Sequence, residues 1–294
     1  MLGVVNLDKP VGPTSHDMVG LVRRLTGIRR IGHAGTLDPL ASGVLPILVG
    51  HATRFSEELS GGDKRYEATI RLGAISATDD AEGPVTPTGA PLPERDTIAR
   101  ELRTFVGSHA QRPPAYSARK VGGRTAYRAA RAGEALDVPP RTVTVHAIEL
   151  RSVVRGDGWL DVAIALHCRA GTYVRSIARD LGDRLGCGGH LGALRRTEAA
   201  GLRVEASHTP LELEELASDG RLAEAVEPLV PLLRLPSVEL LDDDARRFVN
   251  GAGVRGAWPD GRVAVLFAGR LLGVGAASAS ALVPIKVIPP SSGT

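Results

Sequence analysis

One carboxylate, Asp38, stands inside GHAGTLDPLASGVLPILVG (residues 32–50), a glycine-, proline- and threonine-rich turn that runs into an apolar strand. A catalytic carboxylate would be mounted in such a place, because a loop held by rigid structure fixes the group while leaving it reachable. Pro39 pushes Asp38 out of the α region towards an extended or turn conformation, so it is not a mid-helix surface charge. The competing reading is local: an Asp-Pro pair starts a turn, and the carboxylate caps a backbone amide.

The elements that must position this loop follow from periodicity. Val44 to Val49, bounded by Gly43 and Gly50, reads as a buried strand despite Pro46. Upstream, Gly3 to Leu7 reads as a strand, followed by a Pro/Gly turn and a helix from Ser15, whose hydroxyl serves as N-cap, to Thr26 with Gly27 at its end. A helix is expected near Ala52 to Leu59. Along Tyr66 to Leu72, the residues Tyr66, Ala68, Ile70 and Leu72 share one face of a strand. Ser76 to Pro93 reads as a long polar loop, and a helix from Thr97 stops at Gly107. Val143 to Val153 and Trp159 to Cys168 form a hairpin about an Arg-Gly-Asp-Gly turn, Thr172 to Leu185 a helix, and Leu194 to Val204 a returning strand. Pro228 to Pro236 reads as a linker, beyond which one short helix and three short strands make a small β-rich domain. The fold class is α+β: a mixed, largely antiparallel sheet with flanking helices over residues 1–230, and the β-rich domain over 235–294.

The chain has 294 residues, a net charge of +3 and an ordinary hydrophobic share. No leader-like N-terminus and no run long enough to span a bilayer is visible, so cytoplasmic residence is expected. Cys168 and Cys187 are too few and too far apart for a CxxC metal pair or a disulfide framework, and no metal site is expected. Charge is unevenly spread. Arg112, Arg119, Lys120, Arg124, Arg128 and Arg131 fall between Gln111 and Gly133 without an acidic residue, and Arg23, Arg24, Arg29 and Arg30 form a second cluster. Such runs neutralise phosphates or form solvated helix faces; two of them favour nucleic acid. Leu211 to Glu227 has the opposite bias and should face away from it.

The string GHAGTLDPLASGVLP resembles the signature of the bacterial tRNA pseudouridine-55 synthases, the TruB type. The similarity continues, in the family's order, through KPVGPTS (Lys9 to Ser15), KRYEATIRLG (Lys64 to Gly73), PPAYSARK (Pro113 to Lys120) and GTYVRSIARDLG (Gly171 to Gly182). It covers roughly the first two-thirds of the chain. NGAGVRG and FAGRLLGVG loosely resemble fragments of the PUA-like RNA-binding domain of that family.

The resemblance implies an enzyme that breaks the C–N glycosidic bond of a uridine, rotates the uracil, forms a C–C bond and removes the C5 proton, without a cofactor. It implies that Asp38 is the essential carboxylate, attacking C1′, attacking the base or abstracting a ribose proton. Arg175 of GTYVR would pair with it and keep it ionised; the alternative is an arginine on an exposed helix face. Tyr66, one of four tyrosines, would stack on the uracil and take the C5 proton, or else pack in the core. His33 would stack on or hydrogen-bond to opened RNA, Lys9 and Lys64 would contact phosphate or position loops, and Lys120, flanked by Arg119 and Arg124, would contact phosphate. Asp80, which matches an acidic position of the family, would belong with the RNA-binding residues, whereas Ala77 stands where a further Asp is usual.

The implied partner is tRNA at its T-arm stem-loop, with the target base flipped out, no membrane and no obligate protein partner. Three other readings differ in their tests. They are an RNA-binding folding factor with secondary or lost catalysis, a guide-dependent enzyme acting on ribosomal RNA, and a carboxylate-dependent hydrolase, for which no second carboxylate at suggestive spacing speaks.

Overall fold

The computed structural model describes residues 1–116, 120–121, 124–125, 134 and 138–289, with only the backbone of 120–121 and 124–125. Its centre is a ten-stranded sheet. Along the main path the strands run Val226–Glu227, Gly3–Lys9, Ala41–Val49, Gly189–Ala199, Lys64–Leu72, Leu160–Cys168, Arg141–Arg155 and Gly107–Gln111. Neighbours are antiparallel except Ala41–Val49 against Gly189–Ala199, which run parallel. That parallel pair sets the Asp38 loop beside the two strands at the sheet centre.

Alternation decides what each face buries. On Lys64–Leu72, Tyr66, Ala68, Ile70 and Leu72 point inward, as the sequence spacing predicts. They pack with Val162, Ile164 and Leu166 of the hairpin and with Ile98, Leu102, Ile177 and Leu181 of the helices Arg95–Arg103 and Val174–Arg184. A second cluster joins Met18, Val19 and Val22 of the helix Ser15–Thr26 and Leu213 of the helix Pro210–Ser218 to Val5, Leu45 and Ile47.

Several local expectations are corrected. Thr14, not Ser15, caps the first helix: its side chain accepts from the Asp17 amide at 3.1 Å, and Asp17 Oδ2 accepts from the Thr14 amide at 2.8 Å. Two adjacent hydroxyl residues compete for the cap, and only Thr14 has an acid three positions on. The helix at 52–59 is a 3₁₀ turn, Gly50–Phe55, running into a short α-helix, Ser56–Ser60. The 76–93 loop holds a small ladder of Ala74–Ser76 against Val85–Pro87. The returning strand starts earlier, at Gly189, and turns at Ala200 and Gly201, both with positive φ.

The linker expectation also changes. Pro228–Pro236 contains a helical turn, Leu229–Leu233, whose Leu229 and Leu233 are buried with Val4 and Leu48 of the large sheet and with Ala264, Leu271 and Val274 beyond. The terminal segment forms a five-stranded sheet, Ser237–Glu239, Gly261–Phe267, Arg270–Ala277, Ala281–Val287 and Val254–Arg255, covered by the helix Asp242–Val249 through Phe248. It therefore shares a core with the main body rather than hanging from a tether. Among the described residues, no helix is long and apolar enough to cross a membrane.

Candidate active site

The Asp38 loop is clamped on two sides. From the first, the KPVGPTS turn supplies four bonds: the Gly12 amide donates to the Pro39 carbonyl (2.9 Å), the Ser15 hydroxyl donates to the Leu37 carbonyl and accepts from the Leu37 amide (2.9 Å each), and the Lys9 ammonium reaches the Pro39 carbonyl (3.4 Å). From the second, Arg196 of the Gly189–Ala199 strand donates to the carbonyls of Val44 (2.7 Å), Gly35 (3.0 Å) and Thr36 (3.4 Å). Gly43 is required there: its φ is 99°, and a Cβ would lie 2.2 Å from the Arg196 carbonyl oxygen. The Asp38 carbonyl closes the turn by accepting from the Ala41 amide at 3.0 Å, which frees the carboxylate from that task.

That carboxylate meets Arg175. Arg175 Nη2 lies 2.9 Å from Asp38 Oδ2, while Nη1 lies 3.3 Å from Asp80 Oδ2; the guanidinium also donates to the carbonyls of Thr78 (3.1 Å) and Tyr116 (3.0 Å). The arginine side chain is 8% exposed and the Asp38 side chain 39%, so the cation is sheltered while the carboxylate opens outward. The expected exposed-face alternative for Arg175 is thereby removed. Gln111 fixes the start of its helix, donating to the Tyr173 carbonyl (3.1 Å) and accepting from the Tyr173 amide (2.9 Å).

Asp80 is buried and pairs with Arg175 rather than facing solvent, a position that does not suit the direct RNA contact expected of it. Its Oδ1 accepts from the Thr78 hydroxyl and from the Glu82 amide at 3.1 Å. The Leu191 amide donates to the Asp79 carbonyl and the Ala81 amide to the Leu191 carbonyl (2.9 Å each), which ties this loop to the sheet. Glu82 adds a third carboxyl, raised above the ordinary range by burial and then by the charges of Asp80 and Asp38. The sequence reading found no companion carboxylate for Asp38; folding supplies two from a distant loop.

Tyr66 lies opposite Arg196 in the strand ladder, with its hydroxyl on the guanidinium's side of the sheet. Burial pushes the phenol up to about 12, with Arg196 pulling the other way. At neutral pH the side chain is therefore a phenol, and Arg196 is the group that stabilises it should it give up its proton. Arg196, almost wholly buried, was not singled out from sequence. The signal was there: in an alternating strand, one of the adjacent arginines Arg195 and Arg196 must face inward. Arg195 faces the other way and pairs with Asp8 at 2.7 Å.

The remaining candidates separate. Lys9 is buried and donates to the carbonyls of Pro10 (2.8 Å) and Pro13 (2.7 Å) besides Pro39; Lys64 donates to those of Ser60 (2.8 Å) and Gly62 (3.0 Å). Of the two roles expected for these lysines, loop positioning fits and phosphate contact does not. Burial lowers Lys9 and brings Lys64 down to about 8. His33 ends the short strand Ile31–His33; burial and then the Arg196 charge lower its imidazole, and its buried Nδ1 has no hydrogen-bond partner. A neutral ring with a spare nitrogen suits stacking or hydrogen bonding to a base. Arg119 lies outside the described residues. Lys120 and Arg124 fall on a two-stranded ladder, Lys120–Val121 with Arg124–Thr125, of which only the backbone is described.

The mixed sheet holds Asp38 against a sheltered arginine and a buried tyrosine beside a second arginine, and the family that the chain matches makes its class that of the pseudouridylate synthases. Residues 23–174 match the TruB family pseudouridylate synthase N-terminal domain, 175–234 the tRNA pseudouridylate synthase B C-terminal domain, and 236–288 the pseudouridine synthase II TruB C-terminal region. The chain belongs to the TruB family of pseudouridine synthases. It is 48% identical over 282 residues to the tRNA pseudouridine synthase B of Thermobifida fusca, covering 90% of this chain and 93% of that protein. To the protein of that name from Burkholderia pseudomallei it is 42% identical, covering 97% of this chain and 96% of the other. Among solved structures, an H/ACA RNP bound to a substrate RNA containing 2′-deoxyuridine aligns with TM-score 0.73 and 27% identity over 99% of this chain and 86% of that one. A Cbf5–Nop10–Gar1 complex aligns with TM-score 0.73 and 29% identity over 98% and 85%.

Proposed function

We propose that this chain isomerises uridine 55 in the T-arm loop of tRNA to pseudouridine, acting alone and using Asp38, Arg175 and Tyr66. The observation that carries the reading is the Arg175 fork, which holds Asp38 with one nitrogen and Asp80 with the other. A carboxylate so paired arrives at the substrate already oriented, and no reorganisation is needed as charge develops.

In this reading the flipped uracil lies between the Asp38 carboxylate and the Tyr66 ring. Asp38 supplies the anionic group at the ribose or base that allows the C–N bond to break, and the walls retain the detached base while it turns. After the C–C bond forms, the C5 proton leaves; Tyr66 takes it only as a phenolate, its own proton having first passed to solvent while the charge is stabilised by the nearby Arg196 guanidinium, and the step returns it to the phenol. His33 bears on the opened RNA, and the basic run holding Arg119, Lys120 and Arg124 contacts phosphates. Residues 1–230 carry the catalysis, and 235–294 extend the RNA-binding surface.

Action on tRNA without partners is favoured over guide-directed action by the relatives. Those at 41–48% identity that span nearly the whole chain are named tRNA pseudouridine synthase B, whereas the solved complexes with further proteins or RNA stand at 26–29%. Incubating the purified chain with an unmodified T-arm stem-loop and mapping pseudouridine gives modification at one loop uridine. Absence of product with the chain alone, restored by added proteins or guide RNA, would sink the autonomous reading.

A further inference from the structure

Away from the groups just described, three side chains distant in sequence converge at the end of the Tyr66 strand. Asp63 leads into Lys64–Leu72, His167 is the penultimate residue of Leu160–Cys168, and His146 sits in Arg141–Arg155. Ordinary alternation keeps Val145 and Cys168 buried and turns both histidines to the outer face. The hairpin register slips between Val145 and Ala147, so His146 is the extra residue of a bulge. A bulge re-aims a side chain at the cost of a ladder bond. Here it brings His146 beside His167, with ring centroids 4.6 Å apart.

Both rings present Nε2 to the same carboxylate. His146 Nε2 lies 3.2 Å from Asp63 Oδ1 and His167 Nε2 lies 3.7 Å from Asp63 Oδ2, and one donor atom from each of the three residues falls within 4.8 Å of the others. Zinc bonds to imidazole nitrogen and carboxylate oxygen of about 2.0–2.1 Å, at tetrahedral angles, space the donors about 3.3 Å apart. The two histidine–carboxylate separations lie within a few tenths of an ångström of that spacing, and the imidazole pair, within 4.8 Å, closes by rotation of partly exposed side chains. Nearby cations are otherwise engaged: Arg65, across the ladder from His167, lies 3.3 Å from Glu198, and Lys64 is tied to backbone carbonyls.

We propose that Asp63, His146 and His167 form a binding site for one first-row divalent transition-metal ion, with solvent completing its coordination. Two imidazoles and one carboxylate favour zinc, cobalt, nickel or copper over magnesium and calcium, which take oxygen donors. The low cysteine count excludes only thiolate zinc sites, so this one is invisible to cysteine spacing. Its bound ion would cross-link the hairpin to the entry of the Tyr66 strand and so stabilise the folded chain. The site lies outside the groups proposed for the isomerisation and is tested without reference to activity.

The test uses tag-free, chelator-stripped full-length protein titrated with Co²⁺ while the visible absorption is followed, and scanning calorimetry with Zn²⁺ or Mg²⁺. The expected result is saturation at one equivalent of Co²⁺ and a Zn²⁺-induced rise in Tm on the order of 5 °C at a hundredfold excess over Kd, with no rise from Mg²⁺. His146→Gln/His167→Gln removes both signals, and Asp63→Asn weakens binding by roughly tenfold or more. No saturable binding to the wild type, or binding unchanged in the double variant, would overturn the proposal. Should the double variant fail to fold, Asp63→Asn, an isosteric surface change, decides on the same criterion.

Discussion

Two buried arginines flank the Asp38 loop, and they are held in opposite ways. Arg175 meets carboxylates, Asp38 and Asp80, and its wall of the site is a charge network. Arg196 hydrogen-bonds the carbonyls of Gly35, Thr36 and Val44 and lies beside Tyr66, with no carboxylate among its hydrogen-bonding partners in the described residues. A buried guanidinium without a counter-ion is costly, and burial lowers Arg196 below the usual arginine range. In the proposed reaction one arginine would prepare the reactive charge, while the other, which holds the loop that carries it, would meet any charge on Tyr66.

The comparison can be broken most forcefully at Arg175. Arg175→Gln leaves Asp38 and Asp80 without their shared cation, and kcat should fall by about 10³-fold with tRNA affinity changed far less. Single-turnover kinetics beside filter binding checks this; equal losses in both would make Arg175 a binding group. Arg196→Met, by contrast, strips donors from three loop carbonyls and should appear first as lost stability, about 3 kcal/mol by chemical denaturation. An unchanged unfolding midpoint with lost turnover would erase the proposed distinction. Tyr66→Phe keeps the ring and removes the hydroxyl that faces Arg196. A fall of roughly 10²-fold in kcat at similar KM is expected if that oxygen takes a proton, whereas near-normal turnover would leave Tyr66 a stacking platform only.

A smaller effect sharpens the same picture through Lys64, which lies against the Arg196 side of the loop. Its folded-state value of about 8 lies below the 10.5 of a free lysine. Between those values the unfolded chain binds a proton that the folded chain does not, so the unfolding free energy rises with pH across that window. The penalty is fully present below about pH 8. Denaturation of the wild type against Lys64→Gln, from pH 7 to 10, should show the wild type gaining relative stability above pH 8; a constant difference would mean that Lys64 is not desolvated.

How legible the molecule was depends on whether the physics is local. The Tyr66 strand, the hairpin at 143–168 and the helix after Gly171 follow from alternation and turn residues, because side-chain period and backbone type are local matters. The helix cap was misplaced by one residue because Thr14 and Ser15 offer the same hydroxyl, and only tertiary structure shows Ser15 turned to Leu37. Asp38 and Arg175 were found through resemblance, since nothing in composition says that two such distant segments meet. Lys9 and Lys64 were half right for a chemical reason: an ammonium binds phosphate or carbonyl oxygen equally well, and burial among carbonyls is a tertiary fact. Arg196, Glu82 and the Asp63, His146 and His167 cluster lie where the sheet or a distant loop folds back, beyond the reach of spacing.

The central claim is that Asp38 is the essential carboxylate at a uridine already bound. It is tested most directly by release of tritium from tRNA labelled at uracil C5, comparing wild type with Asp38→Asn at equal tRNA occupancy. The account predicts stoichiometric release from the target uridine by the wild type, and none above background from Asp38→Asn, which still binds tRNA. Release by Asp38→Asn at a rate near that of the wild type would contradict it.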